Sequence, residues 1–244
     1  MTEKPEKKES LLLNLVLNIV IPTVILTKFS GEDALGVRNG IIVALSFPII
    51  YGLLDLRRAK KVNIFSVIAI VSILLTGGIS LLELDPKYIA IKEAAIPSIL
   101  GIITIGSLFT PYPILKVVLF NDKLVRVERV NQALAQHDNE AAFTKSFRVA
   151  SYIFASSFGL SAILNYALAR YIVVSPPGTE EFNAELGRMT ALSFPVIAVP
   201  SMLLSIAALF YLYRKITQLT HLTLEDIVVD PNEPHTSDRQ TPEE

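Results

Sequence analysis

Three basic residues stand near the starts of predicted helices that run in the same direction through a membrane: Arg38, Lys92 and Arg188. The backbone N–H groups at a helix N-terminus already favour a negative charge. If the three helices converge, they form a positive pocket suited to a carboxylate, a phosphate or a lipid headgroup, with Asn39 and Asn165 orienting the ligand. The alternative is that the long side chains reach the membrane surface and bind nothing specific.

A carboxylate follows directly after the second of these basic residues. Glu93 would partly neutralise Lys92 and would weaken a site for an anion. No predicted span has a carboxylate in mid-membrane; the candidate is Glu93, which lies near the outer end. Proton-coupled carriers usually hold a carboxylate in mid-membrane, so the sequence argues against that mechanism.

Small polar residues recur at four-residue spacing within the apolar segments. The groups are Asn14, Asn18 and Pro22; Ser72, Thr76 and Ser80; and Ser157, Ser161 and Asn165. Residues four apart share one helix face, where small side chains let helices approach closely and hydrogen-bond. The structural interpretation is helix packing, and the functional one is a polar-lined cavity for a solute.

Several kinds of chemistry find no support in the sequence. There is no cysteine, and the three histidines (His137, His221 and His235) fall in connecting or tail segments. Neither a glycine-rich phosphate loop, nor metal-ligand spacing, nor a GxSxG elbow is present. We therefore expect no enzymatic activity, no cofactor, no metal and no nucleic-acid partner.

The elements that must position these residues are apolar blocks of roughly 18 to 25 residues, each long enough to cross a bilayer core of about 30 Å. The 244-residue chain holds six of them. They predict an all-α, polytopic membrane protein, a bundle of about six transmembrane helices. The predicted helices cover residues 11–27, 37–56, 62–82, 88–110, 146–174 and 186–213.

Orientation follows from the distribution of lysine and arginine on alternate sides of the spans. Of the 22 basic residues, 16 fall on the side of the two termini and 6 on the other. This bias predicts that both termini are cytoplasmic, and an even number of helices follows. Residues 1–10 then form a cytoplasmic segment, 11–217 the transmembrane domain, and 218–244 a disordered cytoplasmic tail.

The long connection between the fourth and fifth spans has its own pattern. The segment of about 114–143 contains apolar residues throughout, and among them Lys123, Arg126 and Arg129 recur at three-residue spacing. This predicts an amphipathic helix on the cytoplasmic membrane face, with the three basic residues on anionic lipid headgroups. The alternative is a solvated helix that only links two spans.

One heptapeptide occurs almost twice. Residues 44–50 read ALSFPII and residues 191–197 read ALSFPVI, in the second and sixth predicted helices. Both helices run inward, so a duplication would relate the two halves as parallel repeats. The alternative is a coincidence between two apolar segments.

A family resemblance rests on motifs spread over residues 11–216. The motifs are Thr27-Lys28-Phe29, Arg57-Arg58-Ala59-Lys60-Lys61, Leu75-Thr76-Gly77-Gly78-Ile79-Ser80-Leu81, Lys92, Pro113-Ile114-Leu115 and Tyr211-Leu212-Tyr213-Arg214-Lys215. In these the chain resembles the intracellular septation protein A (YciB-type) family of small bacterial inner-membrane proteins. It lacks tryptophan, and its connection and tail are longer, which indicates a distant branch.

The resemblance implies a multi-pass protein of the bacterial inner membrane that acts in envelope synthesis, division or integrity, and it implies no catalytic residue. The leading hypothesis is a non-enzymatic protein of cell-envelope maintenance or septation that acts through lipids or other envelope and division proteins. The alternative is a small carrier for an anionic solute or lipid that uses Arg38, Lys92 and Arg188. A membrane enzyme acting on a lipid-linked substrate comes third.

Overall fold

The computed structural model describes residues 15–58, 64–120 and 124–229. Regular structure over these residues is helical, apart from an isolated antiparallel bridge between Val125 and Val228. In chain order the helices are α1 (Val16–Lys28), α2 (Val37–Arg58), α3 (Ile64–Leu81), α4 (Lys87–Ser107), α5 (Ile114–Leu119), α6 (Val127–Gln136), α7 (Glu140–Ile172), α8 (Glu180–Thr220) and α9 (Leu224–Ile227).

Four of these helices are long and apolar enough to cross a membrane: α2, α4, α7 and α8. Within the described residues, α1 and α3 add shorter apolar stretches, Val16–Lys28 and Ile70–Leu81. The prediction of an all-helical chain with membrane-length helices is thereby confirmed in this coarser form. The count of six and the orientation of the termini stay predictions.

Helix α8 extends beyond both ends of its predicted range of 186–213. It begins early because Thr179 caps it: the Phe182 backbone N–H donates to Thr179 Oγ1 at 3.2 Å. The negative charges of Glu180 and Glu181 in the first turn interact favourably with the positive end of the helix dipole and stabilise this helix start. This polar turn carries no hydropathy signal, and the apolar pattern alone therefore missed it.

Two π-helical turns interrupt the regular helices, and each ends just before a proline. Residues Val16–Val20 open α1 ahead of Pro22, and Phe194–Ala198 lie within α8 ahead of Pro200. In each, the following backbone N–H reaches a carbonyl five residues earlier. Proline has no N–H to donate to the carbonyl four residues before it, and a widened turn accommodates that loss.

The chain forms two compact units, and the first comprises residues 1–98 and 160–201. Its core is built from buried apolar side chains of α1, α2, α3, α4, α7 and α8 and of Val173, which directly follows α7. Representative members are Leu26, Ile41, Ile89, Val173 and Phe182. Burying these side chains fixes how each helix is rotated, and that rotation decides which polar groups point inward.

Close packing of α1 against α8 within this unit depends on Gly187. A Cβ atom there would lie 2.8 Å from Thr27 Cγ2 and 3.1 Å from both Leu26 Cβ and the Thr23 carbonyl oxygen. The approach is therefore possible only without a side chain, as is common between membrane helices.

A buried amide also ties the start of α2 to α8. Asn183 is fully buried, and its Nδ2 donates to Ser30 Oγ at 2.9 Å and to the Val37 carbonyl at 2.8 Å. These bonds hold the loop between α1 and α2 in place.

The second unit comprises residues 99–159 and 202–244, and its core contradicts the single amphipathic helix predicted for 114–143. Over that segment the structure has two short helices, α5 and α6, and the start of α7. Apolar residues of α6, among them Val130 and Leu134, are buried against protein groups such as Phe147 and Ile216. The apolar side of α6 therefore packs on the protein and not on lipid.

The predicted disordered tail from residue 218 is wrong over its first part. Helix α8 continues to Thr220, and α9 follows with a capping box in which Thr223 and Asp226 satisfy each other's backbone N–H groups. Ile227 is 2% exposed, and the Val229 N–H donates to the Leu124 carbonyl at 3.2 Å. An apolar residue in a polar stretch anchors this segment, which composition alone does not reveal. Residues 1–14 and 230–244 lie outside the described residues.

Candidate functional site

A buried ion pair lies in the first unit, five residues into α4. The Lys92 ammonium is 2.6 Å from Glu93 Oε1, and the two side chains are 8% and 26% exposed. Lysine is rarely buried to this extent unless its charge is paired. In a helix of membrane length such a pair is costly, and polar groups kept there commonly serve a function.

Helix α3 supplies the remaining partners of the ammonium. Lys92 Nζ donates to Ser72 Oγ at 3.1 Å and to Thr76 Oγ1 at 2.8 Å, and the Ser72 carbonyl lies at 3.5 Å. Ser72 and Thr76 are one helical turn apart, so both hydroxyls reach the same point. With Glu93, they give the three N–H bonds of the ammonium three good acceptors.

The pair borders a cavity of about 470 Å³ lined by residues of α1, α2, α3, α4 and α8 that all belong to the first unit. Most of its lining is apolar, including Leu26, Ile41 and Leu186. Besides the ion pair, the polar lining residues are Asn18, Tyr51, Ser72, Thr76 and Thr190. Asn18 belongs to the π-helical turn that precedes Pro22, and that turn thus forms part of the wall.

A second, almost wholly apolar cavity of about 480 Å³ lies between α3 and α4. It shares Ser72 and Lys92 with the first, and its other lining residues are apolar apart from Tyr88. The Lys92 side chain therefore lies at the wall between a mixed cavity and an apolar one.

The other predicted anion-site residues are distributed differently. Arg38 lines a separate pocket of about 270 Å³ with Glu83, Ser80 and Gly178. Arg188 is exposed and lines none of these three cavities. Asn39 is also exposed. Of the three basic residues, Lys92 alone reaches the mixed cavity among the described residues.

Asn165, the second predicted orienting residue, bonds within its own helix. Its Nδ2 donates to the Ser161 carbonyl at 2.8 Å, and Ser161 Oγ is 3.3 Å away. For Ser161 and Asn165, the four-residue spacing therefore gives hydrogen bonds within one helix and no polar lining for the cavity beside Lys92. For Ser72 and Thr76 the same pattern instead provides ligands for a buried charge. Spacing alone does not separate the two outcomes, because it does not tell which helix lies opposite.

Two of the three residues predicted to contact anionic lipid, Arg126 and Arg129, bind the C-terminal segment of the second unit. Arg126 Nη1 donates to the Glu225 carbonyl at 2.8 Å, and Arg129 Nη2 is 2.7 Å from Asp226 Oδ1. The Arg129 side chain is still about half exposed. Lys123 lies outside the described residues.

The sequence did not point to Tyr51 or Thr190, which complete the polar lining. Thr190 lies in α8, two residues after the exposed Arg188, and no pattern of charge or spacing distinguishes it. No protein-family model, no curated protein and no solved structure matches the chain. The part of the chain that the structure describes also brings no three His, Cys, Asp or Glu side chains together as metal ligands.

Proposed function

We propose that this chain is a multi-pass membrane protein that takes a small amphipathic solute into the cavity beside Lys92 and Glu93 and carries it across the bilayer. One observation carries the proposal: an ion pair buried in a membrane-length helix borders a cavity that is otherwise mainly apolar. Charged groups buried at such positions typically mark substrate or ion pathways.

The size and lining of the cavity support this function. Sites for small molecules are concave, mostly apolar and roughly 300–1,000 Å³, with a few polar groups that fix the ligand. A cavity of about 470 Å³ with hydroxyl, amide and charged groups on part of its wall fits that description. The π-helical turns before Pro22 and Pro200 are local departures from the α-helix of a kind that often occurs at functional sites.

The proposed setting is the bacterial inner membrane, with six spans and both termini in the cytoplasm. The fifth and sixth spans would be α1, extended toward residue 11, and α3. Support comes from the apolar stretches Val16–Lys28 and Ile70–Leu81 and from the excess of lysine and arginine on one side.

A second candidate is the non-enzymatic envelope or septation role implied by the family resemblance. The observation in its favour is a pair of exposed polar contacts in the second unit, from Arg126 to the Glu225 carbonyl and from Arg129 to the Asp226 carboxylate. Partner capture by in-cell crosslinking at residue 132, on the exposed side of α6, tests it. A crosslinked partner lost when Arg129 is reversed to Glu would support this role.

Uptake into proteoliposomes tests the carrier. The panel consists of labelled organic cations, anions and neutral polyols that cross bilayers slowly unaided. Thr190→Phe should abolish uptake because the ring fills the cavity that Thr190 lines. Ala191→Phe is the matched control, since Ala191 is exposed and does not line the cavity. Equal behaviour of the two variants, or no uptake of any solute, would reject the carrier.

A further inference from the structure

We infer that the polar end of the bound solute is an organic ammonium group that pairs with Glu93, in place of the anion expected from the basic residues. This inference rests on the proposed function, because it names the class of solute that the same cavity takes. It follows from the hydrogen bonds of Lys92 and Glu93.

The Lys92 ammonium has no donor left for an anion. Its three N–H bonds meet Ser72 Oγ, Thr76 Oγ1 and Glu93 Oε1 at 2.6–3.1 Å. Its charge is also already balanced by Glu93. A carboxylate or phosphate would have to displace one of these partners before it could bind the ammonium.

Unlike Lys92, Glu93 keeps hydrogen-bonding capacity that the described residues do not use. Only Oε1 accepts a hydrogen bond from the described residues, and Oε2 accepts none from them. A carboxylate has roughly four acceptor positions. Glu93 lines the cavity and is 26% exposed, so a donor inside the cavity can reach the second oxygen.

The remaining lining suits an alkyl or aryl ammonium. Asn18, Tyr51 and Thr190 line the same cavity, and each side chain carries an oxygen able to accept a hydrogen bond. Among the described lining residues, only Lys92 and Glu93 have a charged side chain. The apolar wall, including Ile41 and Leu186, would bury the hydrocarbon part, which contributes roughly 0.8 kcal/mol per buried CH₂.

Three probes with the same tail test the charge of the solute: hexylamine, 1-hexanol and hexanoate. Each is titrated against the full chain in phosphatidylcholine nanodiscs, and binding is read from the rise in the thermal unfolding midpoint. Because all variants share the same bilayer, partitioning of a given probe into lipid cancels when the variants are compared with that probe. Hexylamine should stabilise the wild type most, and hexanoate should not stabilise it.

Two variants should respond in opposite directions. Glu93→Gln should weaken hexylamine binding roughly tenfold or more, because a charge-assisted bond is lost. Lys92→Met should tighten it, because both oxygens of Glu93 become available. Glu32→Gln, which removes an exposed carboxylate outside the cavity, is the matched control and should bind as the wild type does. If hexanoate binds instead, and Lys92→Met abolishes that binding, the ammonium inference is wrong while the carrier survives.

A measurement on the wild type covers the case in which a variant fails to fold. A diazirine-tagged alkylamine should label peptides around residues 70–76 and 186–190, and hexylamine should compete with it. The matched diazirine alkanoate should label neither peptide. If none of the probes binds or labels, the proposed cavity site itself fails, together with this inference.

The amine could belong to a free solute or to a lipid headgroup, and both share the same ammonium chemistry. Replacing part of the phosphatidylcholine with phosphatidylethanolamine separates the two sources. Loss of hexylamine binding in those nanodiscs would identify a lipid amine, and unchanged binding would identify a free solute. If phosphatidylethanolamine lowers hexanol binding equally, the headgroup is not recognised and the inference is rejected.

Discussion

Lys92 and Glu93 are neighbours in the chain and also form an ion pair, with Nζ 2.6 Å from Oε1. Adjacent residues on a helix do not normally face each other, since their side chains leave the axis about 100° apart. Here both side chains bend toward the same cavity. The hydroxyls of Ser72 and Thr76 hold the ammonium in that position. The pair thus depends on α3 as much as on α4.

The interaction between the Lys92 and Glu93 charges can be measured through the free energy of unfolding. Lys92→Met should lower the free energy of unfolding by about 2–3 kcal/mol, below the roughly 3–5 kcal/mol of a fully buried pair, because Glu93 is partly exposed. The double variant Lys92→Met/Glu93→Leu should be more stable than Lys92→Met alone. Unfolding by SDS in detergent micelles provides the measurement. Additive losses in the double variant would show that the two charges do not interact.

The contact between α1 and α8 should not tolerate a side chain at Gly187. Gly187→Ala places a methyl group within 2.8–3.1 Å of three atoms of α1, and overpacking of this kind costs about 1–3 kcal/mol. Gly159→Ala is the control, because a Cβ there meets nothing within 4 Å. As an interior helix position it should gain up to about 1 kcal/mol. Thermal unfolding compares the two, and equal midpoints would contradict the packing.

The C-terminal segment should detach in acid. The Thr223 side chain and backbone N–H donate to Asp226 at 2.7 and 3.0 Å, and with Arg129 nearby they hold the pKa of Asp226 below its ordinary value of 3.8. A lowered folded pKa means that this contact stabilises fully above 3.8. The stabilisation is lost as pH falls from there through the folded pKa.

A nitroxide attached through Val228→Cys reports that detachment, since Val228 is exposed next to α9. The nitroxide should stay immobile from about pH 7 to pH 5 and become mobile only below the ordinary aspartate pKa of 3.8. Asp226→Asn should remove this pH dependence. Mobilisation already near pH 6 would contradict the assignment to Asp226.

The number of spans can be counted with single cysteines, because the chain contains none of its own. Exposed positions on alternate sides are available at Glu32, Leu82, Tyr112, Gln136 and Pro176. With six spans, cysteines at 32, 82 and 176 should react with an impermeant maleimide in intact spheroplasts. Those at 112 and 136 should react only after permeabilisation. Protection of residue 82 in intact cells would show that α3 does not cross.

Helix boundaries were largely readable from the sequence. The second helix, predicted over 37–56, occupies Val37–Arg58, and the fourth, predicted over 88–110, occupies Lys87–Ser107. Runs of apolar residues of bilayer length are a local signal, and an α-helix satisfies its own backbone hydrogen bonds. Polar extensions such as the first turn of α8 were not predicted, because they depend on capping by Thr179 and not on hydropathy.

The near-identical heptapeptides show that a short local sequence does not by itself determine the backbone hydrogen bonding. Residues 44–50 lie within the regular α2 helix, whereas much of 191–197 lies in or next to the π-helical turn of α8. The first copy has Leu53 where the second has Pro200, and only the proline lacks a backbone N–H. Six of the seven residues are identical, yet the two copies adopt different hydrogen bonding, and the proline that distinguishes their surroundings lies outside the repeat.

Taken by itself, the sequence determined that the chain is helical, that it holds segments of membrane length, and that Ser72 and Thr76 share a face. Tertiary structure decided which polar groups meet. Arg188 and Thr190 are two residues apart on α8, yet Arg188 is exposed while Thr190 lines the cavity. Each helical residue turns the side chain by about 100°, so small rotations fixed by contacts such as Gly187 against α1 select the inward set. Those rotations arise from packing between segments distant in the chain, and for that reason Lys92, and not Arg188, lies at the cavity.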